Sequence, residues 1–235
     1  MFILQEPQFS NFDTCPYIKD ELLRFEYFFA TELNRDELEE LLNRGWRKFG
    51  LYYFRPVCYK CQKCIPIRIR AKNMILTKSL RRVLRKGKDI TVVFRPMEFR
   101  DEIFEIYRDH SEKRFGKESN LENFISTFYT ETCPSLQSEY YLEDQLVAVG
   151  FIDKSSRSLS SVYFIYRTAF ESYSLGTYSI LKETEYAAAQ GLDFYYLGYY
   201  ISENRSMAYK NRFIPNEKYD WQREIWADET GIFQK

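Results

Sequence analysis

The 235-residue sequence predicts an α+β fold: a mixed central sheet flanked by helices, preceded by a smaller cysteine-containing N-terminal region. Three observations carry this. The first is residues 158–210, which read as strand, polar turn, helix and strand. Leu159, Val162, Phe164, Ile165 and Tyr166 form an apolar, β-branched and aromatic run that suits a pleated surface. Ser174 is placed to cap a helix in which Leu175, Tyr178, Leu181, Glu185 and Ala188 recur at helical spacing, and Gly191 is placed to end it. Residues 194–197 continue as a strand, making a β-α-β crossover whose strand-to-helix turn offers free backbone N–H groups to a ligand. The second is a hairpin just upstream, strands 139–142 and 146–152 around Glu143-Asp144-Gln145. The third is a cysteine-rich segment near the start, which sets a subdomain 1–70 apart from a main domain 71–235.

Ahead of the hairpin, residues 1–14 carry no periodic pattern and read as irregular, while 22–29 alternate as a strand. Asn34 caps a helix over 35–44, with Leu38, Leu41 and Leu42 on one face and Gly45 at its end. Residues 46–54 read as one aromatic strand, stopped at Pro56. In 65–70, Ile67 and Ile69 alternate with Arg68 and Arg70, a strand with a basic face. Thr77 or Ser79 caps a short helix, 90–94 is a strand, and 98–114 and 121–129 are helical. His110, the only histidine, lies on the inner face of its helix and reads as a structural residue rather than a catalyst.

Composition narrows the setting. Most of the 20 Tyr and 20 Phe fit core and strand positions, and exposed ones can stack on bases. No apolar run approaches the ~20 residues that span a bilayer. The first residues lack the basic flank and apolar length of a signal peptide, and the odd number of cysteines, five, does not fit a disulfide framework. A cytoplasmic protein with no membrane partner is expected. Net charge is zero, yet twelve basic residues and no acid fall between Arg55 and Lys88. Lys78, Arg82 and Arg85 share one helix face, with Arg81 four residues from Arg85, an arrangement that like-charge repulsion disfavours unless an anion lies between them. A polyanion is the expected partner.

Cys58, Cys61 and Cys64 stand at two-residue gaps, and Cys15 offers a fourth thiolate, a spacing that suits zinc or an iron–sulfur cluster. The alternative is a compact turn with buried thiols. No nucleophile elbow, P-loop, metalloprotease helix or dinucleotide fingerprint is present. An activated acyl donor needs none of these, because positioning an amine and stabilising an oxyanion with backbone N–H groups suffices. The hairpin–strand–helix–strand order fits the GNAT-like acyltransferase fold. Its turn, Ser172-Tyr173-Ser174-Leu175-Gly176-Thr177, lacks the glycine-rich pyrophosphate loop of coenzyme A binders, which favours another donor over a coenzyme A-dependent N-acetyltransferase. A non-enzymatic RNA-binding or redox-sensing module is the remaining alternative, and it leaves the β-α-β unit without a task.

The sequence resembles the aminoacyl-tRNA–protein transferases, in particular the bacterial aspartate/glutamate leucyltransferases, relatives of eukaryotic arginyl-tRNA–protein transferase. The resemblance runs nearly end to end: C-P-Y at 15–17; F-R-P-V-C-Y-K-C-Q-K-C-I-P-I-R at 54–68; T-K-S-L-R-R-V at 77–83, where Thr77 and Leu80 depart from the family pattern; then S-L-S-S-V-Y-F, S-L-G-T-Y-S-I-L-K-E, Y-Y-L-G-Y-Y-I and M-A-Y-K-N-R-F-I-P-N-E. It implies transfer of an amino acid from aminoacyl-tRNA to the N-terminal Asp or Glu of a protein, creating a degradation signal. The bacterial match favours leucyl-tRNA over arginyl-tRNA. On this reading Lys78, Arg81, Arg82 and Arg85 hold tRNA. Tyr163, Ser174, Leu175, Gly176, Tyr199 and Tyr200 line an aminoacyl and adenosine pocket. An arginine fork or lysine for the acidic acceptor comes from Arg55, Arg68, Lys210 or Arg212. No catalytic base is assigned, since an α-amine with pKa near 7.7–8.0 needs little help. No cofactor is required. The eukaryotic relatives' cysteines can hold an iron–sulfur cluster or metal, but here the first C-x-x-C equivalent, at 15–18, keeps one cysteine.

Overall fold

The computed structural model describes residues 1–228. β1 (Phe2–Phe9), β2 (Asp13–Thr14), β3 (Leu22–Leu23) and β4 (Phe25–Thr31) lead into α1 (Arg35–Asn43), β5 (Arg47–Phe49), β6 (Tyr52–Pro56) and β7 (Ile65–Arg70). Next come α2 (Lys78–Lys86), β8 (Ile90–Arg95), α3 (Asp101–Phe115), α4 (Leu121–Phe128), β9 (Ser135–Leu142) and β10 (Gln145–Lys154). β11 (Ser158–Tyr166), α5 (Leu175–Ala189), β12 (Phe194–Tyr200), α6 (Arg205–Ala208), β13 (Asn216–Asp220) and β14 (Ile225–Asp228) complete the described residues. Among the described residues no helix is long and apolar enough to cross a membrane.

The strands form an eight-stranded mixed sheet, β14-β13-β7-β12-β11-β10-β9-β8, and a four-stranded sheet, β1-β4-β6-β5. β11 and β12 are parallel, as the crossover requires. Alternation along the strands divides the core. Leu80 of α2 and Ile180, Leu181 and Ala187 of α5 pack on Ile67, Ile69, Leu159 and Tyr195 from one side. On the other, Ile103, Ile106 and Phe124 of α3 and α4 cover Val149, Phe151 and Ile165. There too, Leu38 and Leu42 of α1 join Phe28 and Tyr53 of the small sheet against Tyr196. A buried ion pair, Lys48–Asp153 at 3.2 Å, ties β5 to β10.

Several elements differ from the sequence expectation. Residues 2–9 are a strand, β1, paired with β4 through register shifts on either side of Gln5. With seven of its eight residues exposed, β1 has no buried face to impose alternation. Residues 46–54 are not one strand but most of a hairpin, β5 and β6, turned at Gly50 with φ +55°. Ser174 does not cap α5 with its side chain; it takes the left-handed conformation, φ +56°, and Thr177 N–H binds its carbonyl at 2.8 Å. β7, assigned by sequence to the N-terminal region, is an interior strand of the large sheet between β13 and β12. Its basic face is not a surface. Arg68 is 8% exposed, and Arg68 and Arg70 both bind Glu217, at 2.7 and 2.6 Å.

The α5 crossover is fastened by a buried carboxylate. Glu183, 2% exposed, accepts hydroxyl bonds from Ser138 at 2.7 Å, Tyr140 at 3.0 Å and Tyr195. Burial pushes its carboxyl upward, and the three hydroxyls oppose that shift. Gly150 makes room, because a side chain there would run into Glu183 and Ser138. Glu183→Ala leaves three buried hydroxyls without their acceptor and opens a cavity, so urea denaturation should show a loss of about 3 kcal/mol.

Candidate functional site

The central sheet opens where its two parallel strands part. β11 and β12 pair only at Ser158↔Phe194, Leu159↔Tyr195 and Ser160↔Tyr196, although both continue. Each strand kinks at that point. Opposite β10, register moves from Phe151↔Tyr163 to Ile152↔Ser161, so Val162 is an extra residue on β11, a bulge that bends the strand. Opposite β7, register shifts between Tyr196 and Tyr199, where Gly198 takes φ +82°. The opening thus lies at the C-terminal ends of the parallel pair, where open α/β sheets bind ligands.

Two cations stand at the split. Arg47, from β5, donates Nη1 to Ser160 Oγ at 2.7 Å and Nη2 to the Ser161 carbonyl, the first group on β11 past the last paired residue. Gly198 lies beside it, its Cβ position in ordinary contact at 3.6 Å from the guanidinium, and its φ of +82° is the left-handed backbone that favours glycine. Lys210, in the short 3-10 turn Tyr209–Arg212, donates Nζ to the Tyr199 carbonyl at 2.9 Å. Neither forms an ion pair among the described residues. Burial pushes the Lys210 amine down to about 7, with the Arg47 charge adding to the shift, and burial lowers Arg47 as well.

The structure distributes the other expected residues. Tyr199 is in place at the opening, its hydroxyl donating to Gly45 O at 3.0 Å. Tyr163 lies on β11 just past the bulge, stacked on Phe128 at 5.4 Å, and burial pushes its phenol up to about 12. Leu175 is buried in a cluster with Tyr166 and Tyr178, whereas the Gly176 Cβ position faces open space. Tyr200 carries the Lys218 ammonium over its ring at 5.1 Å. Arg55 is paired with Glu26 at 2.6 Å and lies over the Trp46 ring. Arg68 is clamped by Glu217, Asn43 and Tyr196 and stacked on Phe194 at 3.7 Å. Arg212 is exposed. Lys210 is therefore the member of the acceptor set that combines a place at the split with no ion pair among the described residues.

Sequence reasoning missed Arg47, hidden as a cation inside an aromatic strand, and it missed the bulge. Gly198 within Y-Y-L-G-Y-Y was the legible sign, since glycine in a strand interior marks a bulge or a close approach.

Lys78, Arg81, Arg82 and Arg85 form the exposed side of α2, and none has an ion pair among the described residues. Cys58 Sγ points to the Arg24 carbonyl at 3.8 Å, and Cys64 is buried, its thiol pushed up to about 12 by burial, with Cys58, Cys15 and Cys61 near enough to add to the shift. Among the described residues no three of His, Cys, Asp or Glu meet as a metal site. A cavity of about 370 Å³ opens at the other end of β12, by Phe194 and Trp226. The cations on its walls are already paired, Arg68 and Arg70 with Glu217 and Lys72 and Arg157 with Asp193, so the chemistry is better placed at the split.

A sheet parted at its parallel strands, with two cations there that form no ion pair among the described residues, suits the positioning of reactants for group transfer. The chain belongs to the arginine-tRNA-protein transferase family: the family's N-terminal model matches residues 13–82 and its C-terminal model residues 101–220. It is 32% identical to an aspartate/glutamate leucyltransferase of Campylobacter jejuni over 93% of this chain and 94% of that one. Proteins of the same name from Helicobacter hepaticus, at 32% identity over 89% of this chain and 90% of theirs, and Rhodospirillum rubrum, at 34% over 92% and 91%, are similar as well. Among solved structures, FemX overlays with a TM-score of 0.47 at 8% identity, covering 83% of this chain and 79% of its own.

His110 is structural. Its Nδ1 lies 3.3 Å from the Tyr166 carbonyl, and burial, with the Arg114 charge, pushes the imidazole from 6.5 down to about 4. A base whose folded pKa is depressed contributes stability above its unfolded pKa and loses it as pH falls through the folded one. Stability should therefore decline between about pH 6.5 and about pH 4, and His110→Gln should flatten that decline in urea titrations run across the window.

Proposed function

We propose that this protein transfers leucine from leucyl-tRNA to the N-terminal Asp or Glu of cytoplasmic proteins and so marks them for degradation, using a GNAT-like fold with no acyl-enzyme intermediate. The observation that carries the reading is the similarity to aspartate/glutamate leucyltransferases along 93% of the chain. The split sheet supports it. Beyond Ser160 the inner edge of β11 has no ladder partner on β12, so backbone N–H groups there are available to a developing oxyanion. The aminoacyl ester is already activated, and the acceptor's neutral α-amine attacks it directly. On this reading the exposed cations of α2 hold the tRNA backbone, and Tyr163 and Tyr199 wall the aminoacyl end. The family description favours a second reading, arginyl transfer by the same chemistry.

Purified protein, supplied with labelled leucyl- or arginyl-tRNA and peptides beginning Asp, Glu or Ala, should label the Asp and Glu peptides from leucyl-tRNA. Acetyl transfer from coenzyme A without aminoacyl transfer overturns the reading. Arg81→Ala with Arg82→Ala should weaken tRNA binding about tenfold and flatten its salt dependence by between one and two units of log–log slope.

A further inference from the structure

We propose that Arg47 and Lys210 divide the handling of the acceptor: Arg47 holds the side-chain carboxylate of the N-terminal Asp or Glu, and the Lys210 amine takes the proton released as the α-amine attacks. This rests on the leucyl-transfer reading and adds the residues that read and activate the acceptor.

Arg55, Arg68 and Arg70 each have a carboxylate within 2.7 Å. Arg47 and Lys210 have none among the described residues, and they converge on one place. Arg47 binds the first freed carbonyl of β11, and Lys210 binds a carbonyl of β12 beyond the split. The Arg47 fork is fixed by two acceptors on one strand, at Ser160 and Ser161, which orients its remaining N–H groups and suits a carboxylate.

Lys210 is the less suited to hold a carboxylate. Its surroundings disfavour charge, and the Arg47 guanidinium presses on it in the same direction. The groups around it are Arg47 from β5, Tyr199 from β12 and the Met207 sulfur of α6, 3.5 Å from Nζ. Cys64, Arg55 and Tyr17 stand around Tyr199 in turn, and neighbouring Tyr209 is influenced by Glu183 and Arg114. A lysine tuned this way exchanges protons near neutrality.

The chemistry balances. The α-amine nitrogen forms a C–N bond to the ester carbonyl carbon. Neutral Lys210 takes one proton from that nitrogen, and as the ester C–O bond breaks it gives the proton to the departing ribose oxygen. Lys210 ends as it began, and no redox partner is needed.

Steady-state kinetics with leucyl-tRNA and matched peptides beginning Glu or Gln, from about pH 6 to about pH 9, tests both roles. Arg47→Lys should raise KM for the Glu peptide about tenfold or more and reduce the Glu-over-Gln preference by the same factor, with kcat nearly unchanged. Lys210→Arg should lower kcat about 100-fold, leave KM for the Glu peptide nearly unchanged, and remove the step in kcat near pH 7, leaving the rise that the α-amine's own titration sets nearer pH 8. Should either variant melt early, Ser160→Ala, which removes only one Arg47 contact, should still reduce the Glu-over-Gln preference, and Lys210→Ala should recover kcat on adding small primary amines. Retained Glu preference in Arg47→Lys or Ser160→Ala overturns the first role. A wild-type pH profile in Lys210→Arg, or no amine rescue of Lys210→Ala, overturns the second. Absence of leucyl transfer by the unaltered protein rejects the underlying reading instead.

Discussion

The bond from the Arg47 guanidinium to the Ser161 carbonyl is the contact on which the site depends. Parting two strands exposes backbone groups that elsewhere in the sheet satisfy each other, and a buried, unmade hydrogen bond costs about 1–3 kcal/mol. The fold meets this by reaching in from another sheet. Arg47 comes from the small N-terminal sheet, Lys210 from the turn after β12, and each binds a carbonyl that the split released. The cations are thus part of the structural solution to an opened sheet and, in the proposed function, the charges that meet the acceptor.

That arrangement explains why the N-terminal region cannot be an appendage. β5 must deliver Arg47 in register, and the Lys48–Asp153 pair, both side chains under a tenth exposed, fixes the same strand to β10. Removing one partner from such a buried pair costs more than the pair contributes, because the other charge is left stranded. Adjacent residues of one short strand therefore do separate work, one anchoring the layers and the next holding the split.

Much of this architecture was legible. The crossover, the hairpin before it and the helices over 35–44 and 98–114 showed in the spacing of Leu, Ile and Phe, because each has one buried face that the sequence must mark. β1 was illegible for the opposite reason, having almost no buried face. β13 and β14 went unread because short strands gain their identity from the neighbours they pair with. Tyr199 and Lys210, candidates through motif resemblance, lie at the split, but Arg55 and Arg68 looked free only because Glu26 and Glu217, their partners, lie 29 and 149 residues away. Ion pairing across such distances leaves no local trace. Arg47 was overlooked because its importance comes from a gap between two strands it does not belong to.

The interior position of β7 also has a temporal consequence. Its hydrogen-bonding neighbours are β12 and β13, so residues 65–70 leave the ribosome long before either partner exists. Until residues 194–200 and 216–220 follow, an Ile-rich strand has both edges open, the condition that invites non-native pairing. The arginines alternating with its isoleucines, later neutralised by Glu217, would meanwhile keep that nascent segment charged. The salt links that are buried at the end of folding are repulsive gatekeepers at its beginning.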